Sequence, residues 1–250
     1  MTSIVFPGQG SQFLGMARDF YDNFRETKDI FEEIEEATSI NLKKIIFGDN
    51  SELLNTTNYT QISIFAASIG IFNTLEESFG LEKLNIDYML GHSLGEYSAL
   101  AASKAIKISE AANLLKVRGE LMNSAVTPNT TSMAALIGMV SSDVESIIKE
   151  NKIDIEIAND NSPIQVVISG LDLEVEKSRE IFLSKGIKRF VKLNVSAAFH
   201  SKFMTKAQDK LSLEIDKVNF DDPFCSIISN YDSSVNISAN KIIENLKLQM

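Results

Sequence analysis

A serine stands between two glycines at Gly91-His92-Ser93-Leu94-Gly95, directly after the short run Ile86-Asp87-Tyr88-Met89-Leu90 and before residues that favour helix. Strand, sharp turn and helix in that order is the setting in which Gly-x-Ser-x-Gly presents a nucleophile. The glycines let the two backbones approach closely, and the serine hydroxyl projects from the tip. The following helix offers unpaired N–H groups and partial positive charge there. An oxyanion formed at the tip would be stabilised, with the Leu94 N–H as the first donor. An ordinary βα turn that contains a serine is the plainer alternative.

A serine hydroxyl needs a base to be nucleophilic near neutral pH. The sequence holds two histidines, His92 and His200. His92 neighbours the serine in a tight turn, where adjacent side chains diverge, and reads as structural. His200 is therefore the base by elimination. No acidic residue between Ser93 and His200 is compelling as a third member, so a Ser–His dyad is expected, its imidazole oriented by a backbone carbonyl or an amide. Near the start, Pro7, Gly8 and Gly10 force a loop that carries Gln9. Its glycine spacing fits neither a dinucleotide fingerprint nor a P-loop. The loop either brings an amide and backbone N–H groups to a site or is a tight turn.

The elements that must position these residues follow from periodicity. Ile4 to Phe6 makes a short strand, and residues 16–46 are helical and amphipathic, with Glu32, Glu33, Glu35 and Glu36 on a solvated face. Residues 60–79 are apolar on nearly all sides and read as a buried helix. The elbow helix runs from Gly95 to Ala105. Ser109 then caps a helix from Glu110 to Asn123, in which Arg118 reads on composition alone as solvated.

After a polar connector at 124–132, a strand (133–140), a helix (142–150, capped by Ser142), two strands (154–158 and 165–169) around an Asn-rich turn at 159–163, a helix (173–185) and a strand (188–195) follow. That β-α-β-β-α-β order is the ferredoxin-like pattern. Residues 196–200 lead into a helix over 202–216; a strand near 225–228 and a helix from Ser238 close the chain. The expected fold is α/β: an α/β-hydrolase-like large subdomain with a parallel central sheet over 1–126 and 198–250, and an inserted ferredoxin-like subdomain over 127–197.

Composition narrows the function classes. Of 250 residues 44% are hydrophobic and 23% charged, which is ordinary for a soluble globular protein. Lys plus Arg is 24 against Asp plus Glu 34, a net charge of −10 that argues against a nucleic-acid partner. No apolar run reaches about 18 residues, so no membrane span is expected. Met-Thr-Ser-Ile-Val-Phe-Pro lacks the basic start of a signal peptide. A single cysteine, Cys225, fits a reducing cytoplasm and a buried structural thiol. No Cys or His cluster has metal-ligand spacing.

Phe-Pro-Gly-Gln-Gly-Ser-Gln at 6–12, Gly-His-Ser-Leu-Gly-Glu-Tyr-Ser-Ala at 91–99, Arg118, the stretch from Asn159 to Gly170, and His200 together resemble the malonyl-CoA:acyl-carrier-protein transacylase family, in order and over the whole chain. The resemblance implies transfer of a malonyl group from malonyl-CoA to the phosphopantetheine thiol of an acyl-carrier protein in fatty-acid biosynthesis, without a cofactor or metal. It implies that Ser93 is acylated, that His200 is the base, and that the N–H groups of Gln9 and Leu94 form the oxyanion hole. Arg118 would hold the free malonyl carboxylate in a bidentate pair. Asn159 and Asn161 match an Asn-x-Asn near the family's site. Leu94 and Phe199 resemble the malonyl-selecting form of related polyketide acyltransferases, in which a Phe precedes the histidine and leaves no room for an α-methyl.

The expected partners are malonyl-CoA and the carrier protein, with no nucleic acid and no membrane; the chain is expected to be monomeric. The basic stretch Lys185, Lys188, Arg189, Lys192, Lys202, Lys206 and Lys210 is the expected carrier-docking patch. Family members also run on to a Pro-Val-Arg-Trp segment and carry a late glutamine whose main-chain carbonyl orients the histidine. Neither is read here, and the last helix, running into Met250 without a stop signal, reads as unfinished. Two rivals remain: a serine thioesterase or esterase, and a catalytically silent docking module.

Overall fold

Alternating exposure opens the chain as β1 (Thr2–Phe6). Residues 1–127, 129–195 and 197–250 are described in the computed structural model, Glu82 by its backbone alone. Pro128, inside the expected connector, and Ser196, the first residue of the expected lead-in to His200, lie outside the described residues. The helical stretch after β1 resolves into α1 (Arg18–Asn23), α2 (Arg25–Thr38) and α3 (Leu42–Ile46), broken at an extended Phe24 and a left-handed Ser39. On α2, Ile30, Phe31 and Ile34 are buried and Glu32, Glu33 and Glu36 exposed, as the amphipathic pattern requires. Next come α4 (Ser51–Leu54), the long buried α5 (Thr57–Phe79), α6 (Leu81–Leu84), β2 (Ile86–Gly91), α7 (Gly95–Ala102) and α8 (Ile108–Ser124).

The alternation then becomes β3 (Thr131–Ile137), α9 (Ser141–Asn151), β4 (Ile155–Ser162), β5 (Gln165–Leu171), α10 (Asp172–Ser184) and β6 (Arg189–Lys192). A 3-10 turn at Lys202–Met204 leads into α11 (Thr205–Ile215), followed by β7 (Ser226–Ile228), β8 (Val235–Asn236) and α12 (Ala239–Lys247). The chain forms two compact units, 1–120 with 209–249, and 121–208 with Met250. Among the described residues no helix is long and apolar enough to cross a membrane.

The fold is mixed α/β with a parallel sheet. In the first unit the strand order is β1-β2-β7-β8. β1 and β7 run parallel to β2 on either side, with Phe6 opposite Gly91 and Met89 opposite Ile227, and β8 returns antiparallel to β7. Phe6, Phe31, Ile34, Phe65, Met89 and Leu100 lie in its core. The second unit holds an antiparallel sheet in the order β4-β5-β3-β6, packed around Leu136, Val144, Val166, Ile168, Val175 and Phe182.

Three local expectations are corrected. Ser109 lies within α8, which starts at Ile108, and α9 is preceded by Val140, with no side chain capping it. Asn159 and Asn161 lie within β4 rather than in a turn; two irregularities in its pairing with β5 absorb the Asn-rich stretch, and Asn159 sits opposite Val167.

Candidate active site

The three parallel strands of the first sheet end at one edge, and the chain leaving each carries a site residue: Gln9 after β1, Ser93 after β2 and Asn230 after β7. The carboxyl ends of parallel strands are where open α/β sheets place their ligands. At the elbow, Ser93 has φ 52°, the left-handed conformation that costs a non-glycine residue energy. A Cβ on Gly91 would lie 2.0 Å from the Gly95 carbonyl group, and one on Gly95 would lie 2.5 Å from the Phe6 carbonyl oxygen. Only glycine fits at either position, so the motif is explained by backbone approach. Asn230 clamps the turn: the Ser93 N–H donates to its Oδ1 at 2.7 Å, and its Nδ2 donates to the Gly91 carbonyl at 2.6 Å.

His92 is exposed and its N–H donates to the Phe6 carbonyl at 3.0 Å. A Cβ on Gly8 would come within 2.5 Å of both the His92 ring and its carbonyl oxygen. The glycine loop therefore lies directly on the elbow; Gln9, next to Gly8 in the chain, is half-buried and Leu94 is fully buried.

Arg118, read from composition as solvated, is 1% exposed and is corrected to a core residue. Its Nη1 donates to Gln61 Oε1 at 2.7 Å; its Nη2 donates to Ser93 Oγ at 2.9 Å and to Gln249 Oε1 at 3.0 Å. Its Nε is buried and has no hydrogen-bond partner among the described residues. Its guanidinium carbon lies 5.7 Å from the centre of the Tyr97 ring. Burial works against its charge, while Tyr97 and Glu96 support it. Burial also pushes the Tyr97 hydroxyl up to about 12, so it stays protonated.

Glu96, in the first turn of α7, is 0% exposed. Its Oε2 accepts from Gln249 Nε2 at 2.8 Å and from the Asn230 N–H at 3.3 Å. Desolvation raises its carboxyl to about 7, against hydrogen bonds from Gln249, Asn230 and Ser229 and the charge of Arg118. Gln249 also donates from Nε2 to the Ser93 carbonyl at 2.8 Å. A late glutamine, counted as absent from the sequence, is thus at the serine. Cys225 is buried and its thiol is pushed up to about 11, an inert group as expected.

In the second unit, His200 is half-buried and left-handed, with φ 53°. The turn around it is pinned on several sides. The Ala198 N–H donates to Thr131 Oγ1 at 3.0 Å, Ser169 Oγ donates to the buried Phe199 carbonyl at 3.0 Å, and the Lys202 N–H donates to Glu156 Oε2 at 2.9 Å. Lys185, Lys192 and Lys202 are paired with Glu150, with Asp172 and Glu176, and with Asp154 and Glu156. The expected basic patch is therefore interleaved with acid, and exposed Lys188, Arg189 and Lys206 are the cations of this unit's stretch without an ion pair among the described residues. Among the described residues no group of three His, Cys, Asp or Glu is placed to hold a metal ion.

The structure brings together Ser93, Leu94 and Arg118 in the first unit, with the loop of Gln9 against them. Sequence reasoning missed Gln61, Glu96, Asn230 and Gln249. Gln61, an amide in a near-apolar helix, and a carboxylate among the small residues after Gly95 were signals, since buried polar groups need partners.

The acyl transferase domain family model matches residues 4–245. The malonyl CoA-acyl carrier protein transacylase of Bacillus subtilis is 35% identical, over 99% of this chain and 78% of its own. The Escherichia coli transacylase is 33% identical, over 99% and 80%. The crystal structure of an acyl-carrier-protein S-malonyltransferase from Bartonella henselae, 37% identical, superposes with a TM-score of 0.93 over 100% of this chain and 80% of that one. A malonyl-transacylase solved in complex with a type II polyketide acyl-carrier protein is 34% identical, with a TM-score of 0.93. The chain belongs to the malonyl CoA-acyl carrier protein transacylase family of acyltransferases.

Proposed function

We propose that this protein moves a malonyl group from malonyl-CoA to the phosphopantetheine thiol of an acyl-carrier protein, through a malonyl ester on Ser93. The observation that carries this reading is the buried guanidinium of Arg118 on the serine hydroxyl, with Nε unpartnered. An acyl group bound to Ser93 meets a fixed cation, and a planar fork suits a free carboxylate. A neutral acyl group would leave that charge desolvated and unanswered.

In the first half-reaction Ser93 Oγ attacks the thioester carbonyl carbon as His200 takes the hydroxyl proton. The N–H groups of Leu94 and Gln9 hold the oxyanion. The intermediate collapses with loss of CoA, whose sulfur receives the proton from His200. The carrier thiol then repeats the sequence in reverse on the malonyl ester. Nucleophile, base and oxyanion donors complete this exchange, so we assign it no cofactor. Phe199 restricts the acyl pocket to an unbranched α-carbon, and Asn159 belongs to the substrate-binding set.

The strand order of the two sheets and the β-α-β-β-α-β succession support a finer fold reading, an α/β-hydrolase-like subdomain with a ferredoxin-like insert. We read the protein as a cytoplasmic monomer.

The test is intact-mass analysis after incubation with malonyl-CoA. A protein carrying one malonyl group, discharged by added carrier protein, is expected. Steady release of free malonate without an adduct would point to a thioesterase, and no reaction to a docking module. For the carrier we assign Lys188 and Arg189 as docking cations. Reversing both to Glu is expected to raise the carrier KM about tenfold, since two rim charges change sign, and to leave malonyl-CoA kinetics alone. An unchanged carrier KM removes them from the interface.

A further inference from the structure

The buried carboxylate of Glu96 has no part in the exchange just described, yet two of the residues that fix the nucleophile meet on it. Asn230, whose backbone N–H donates to Glu96 Oε2, holds the Gly91 carbonyl and the Ser93 N–H with its side chain. Gln249 donates from Nε2 to the same Oε2 and to the Ser93 carbonyl, and accepts Arg118 Nη2 on its Oε1.

An ionised carboxylate only accepts hydrogen bonds, and a guanidinium only donates. The amide between them therefore has one favourable orientation, NH2 toward Glu96 and C=O toward Arg118. A flipped amide would set oxygen against carboxylate and N–H against guanidinium, with every group buried. Glu96, Gln249 and Arg118 form an ion pair bridged by an amide, and Ser93 Oγ hangs from its cationic end.

Resting on the malonyl-transfer reading, we infer that Glu96 is a positioning residue for acyl selection: by orienting the Gln249 amide it holds the Arg118 fork at the serine, where the free carboxylate of the acyl group is recognised. Glu96 does not touch the substrate in this scheme. Its effect passes through Gln249, so it falls on acyl groups that carry a carboxylate. A carboxylate that merely stabilised the fold would affect every acyl donor alike.

The experiment compares single-turnover labelling by malonyl-CoA and by acetyl-CoA in wild type, Glu96→Ala, Glu96→Gln, Gln249→Leu and the double variant Glu96→Ala/Gln249→Leu, with thermal melting as the check on folding. Glu96→Ala is expected to lower the malonyl labelling rate by about tenfold or more, the scale of a lost hydrogen bond within a charged network, and the acetyl rate by less than about threefold. Glu96→Gln keeps an acceptor at the same place and is expected to recover most of the malonyl rate. Gln249→Leu also loses the bond to the Ser93 carbonyl, so both rates should fall, the malonyl rate further, and the double variant should lower the malonyl-to-acetyl ratio no more than either single change, because both act on one link. If Glu96→Ala does not fold, Gln249→Leu and Glu96→Gln carry the comparison.

Equal losses with both donors overturn the inference, as do additive losses of that ratio in the double variant or a failure of Glu96→Gln to recover malonyl labelling. A wild-type protein that takes no label from malonyl-CoA overturns the transfer reading instead, and this inference falls with it. Labelled wild type with unselective Glu96 and Gln249 variants removes the inference alone.

Discussion

Ser93→Ala is expected to end malonyl loading outright: no adduct in the intact mass, and carrier acylation reduced by on the order of a millionfold, the scale seen when the nucleophile of a serine enzyme is removed. The variant should still fold, because the turn is held by backbone groups that alanine keeps. The Ser93 N–H on Asn230 and the Ser93 carbonyl on Gln249 do not depend on the hydroxyl. The left-handed φ of 52° at this position allows a sharper check. Ser93→Gly lacks the same hydroxyl but adopts that conformation without strain, so it should be more stable than Ser93→Ala by about 1 kcal/mol. Melting curves of the two inactive variants measure the strain stored at the nucleophile. Equal stability would mean that the elbow does not strain its serine, and persistent labelling of either variant would move the nucleophile elsewhere.

What could be read from the sequence and what could not divide along a physical line. The elbow was legible because its requirements are local. Two glycines four residues apart exist to let one strand and one helix touch, and the clashes a Cβ would meet at Gly91 and Gly95 involve residues of the same turn or of the adjoining strand. The β-α-β-β-α-β succession was legible for the same reason, since periodicity is set element by element.

Arg118 was illegible from composition because its burial is decided by partners 57 and 131 residues away, Gln61 and Gln249. Only the resemblance to a family of carboxylate-handling enzymes gave it a role beforehand. Asn230 reaches the serine across 137 residues, and nothing near it in the chain marks it. Asn159 and Asn161 were misplaced because their turn preference, a local signal, is overridden by pairing of β4 with β5. The docking stretch was only partly legible, for another reason. A count of charges along the chain omits the acids that folding sets beside Lys185, Lys192 and Lys202.

Arg118→Ala is expected to separate acyl selection from acyl chemistry. Removing one partner of a desolvated, hydrogen-bonded charge pair costs a few kcal/mol, so malonyl loading should fall by on the order of a hundredfold or more. Acetyl loading needs Ser93, its base and the oxyanion donors but no carboxylate receptor, and should change little. Equal losses with the two acyl groups would deny Arg118 the carboxylate.

Stability should show a second signature, because the substitution strips Glu96 of the nearby charge that lowers its pKa. In the wild type the carboxyl already sits at about 7, raised from an ordinary 4.5. Without Arg118 it rises further, and the folded state holds a proton that the unfolded state gives up. The sign follows from linkage: where the folded state binds more protons, stability falls as pH rises, from the unfolded value near 4.5 until the folded value is passed. Arg118→Ala should therefore melt below wild type by a smaller margin near about pH 5 and by a larger one near about pH 8. A melting difference independent of pH would mean that Arg118 and Glu96 do not share a field, and that the guanidinium is held at the serine by Gln61 and Gln249 alone.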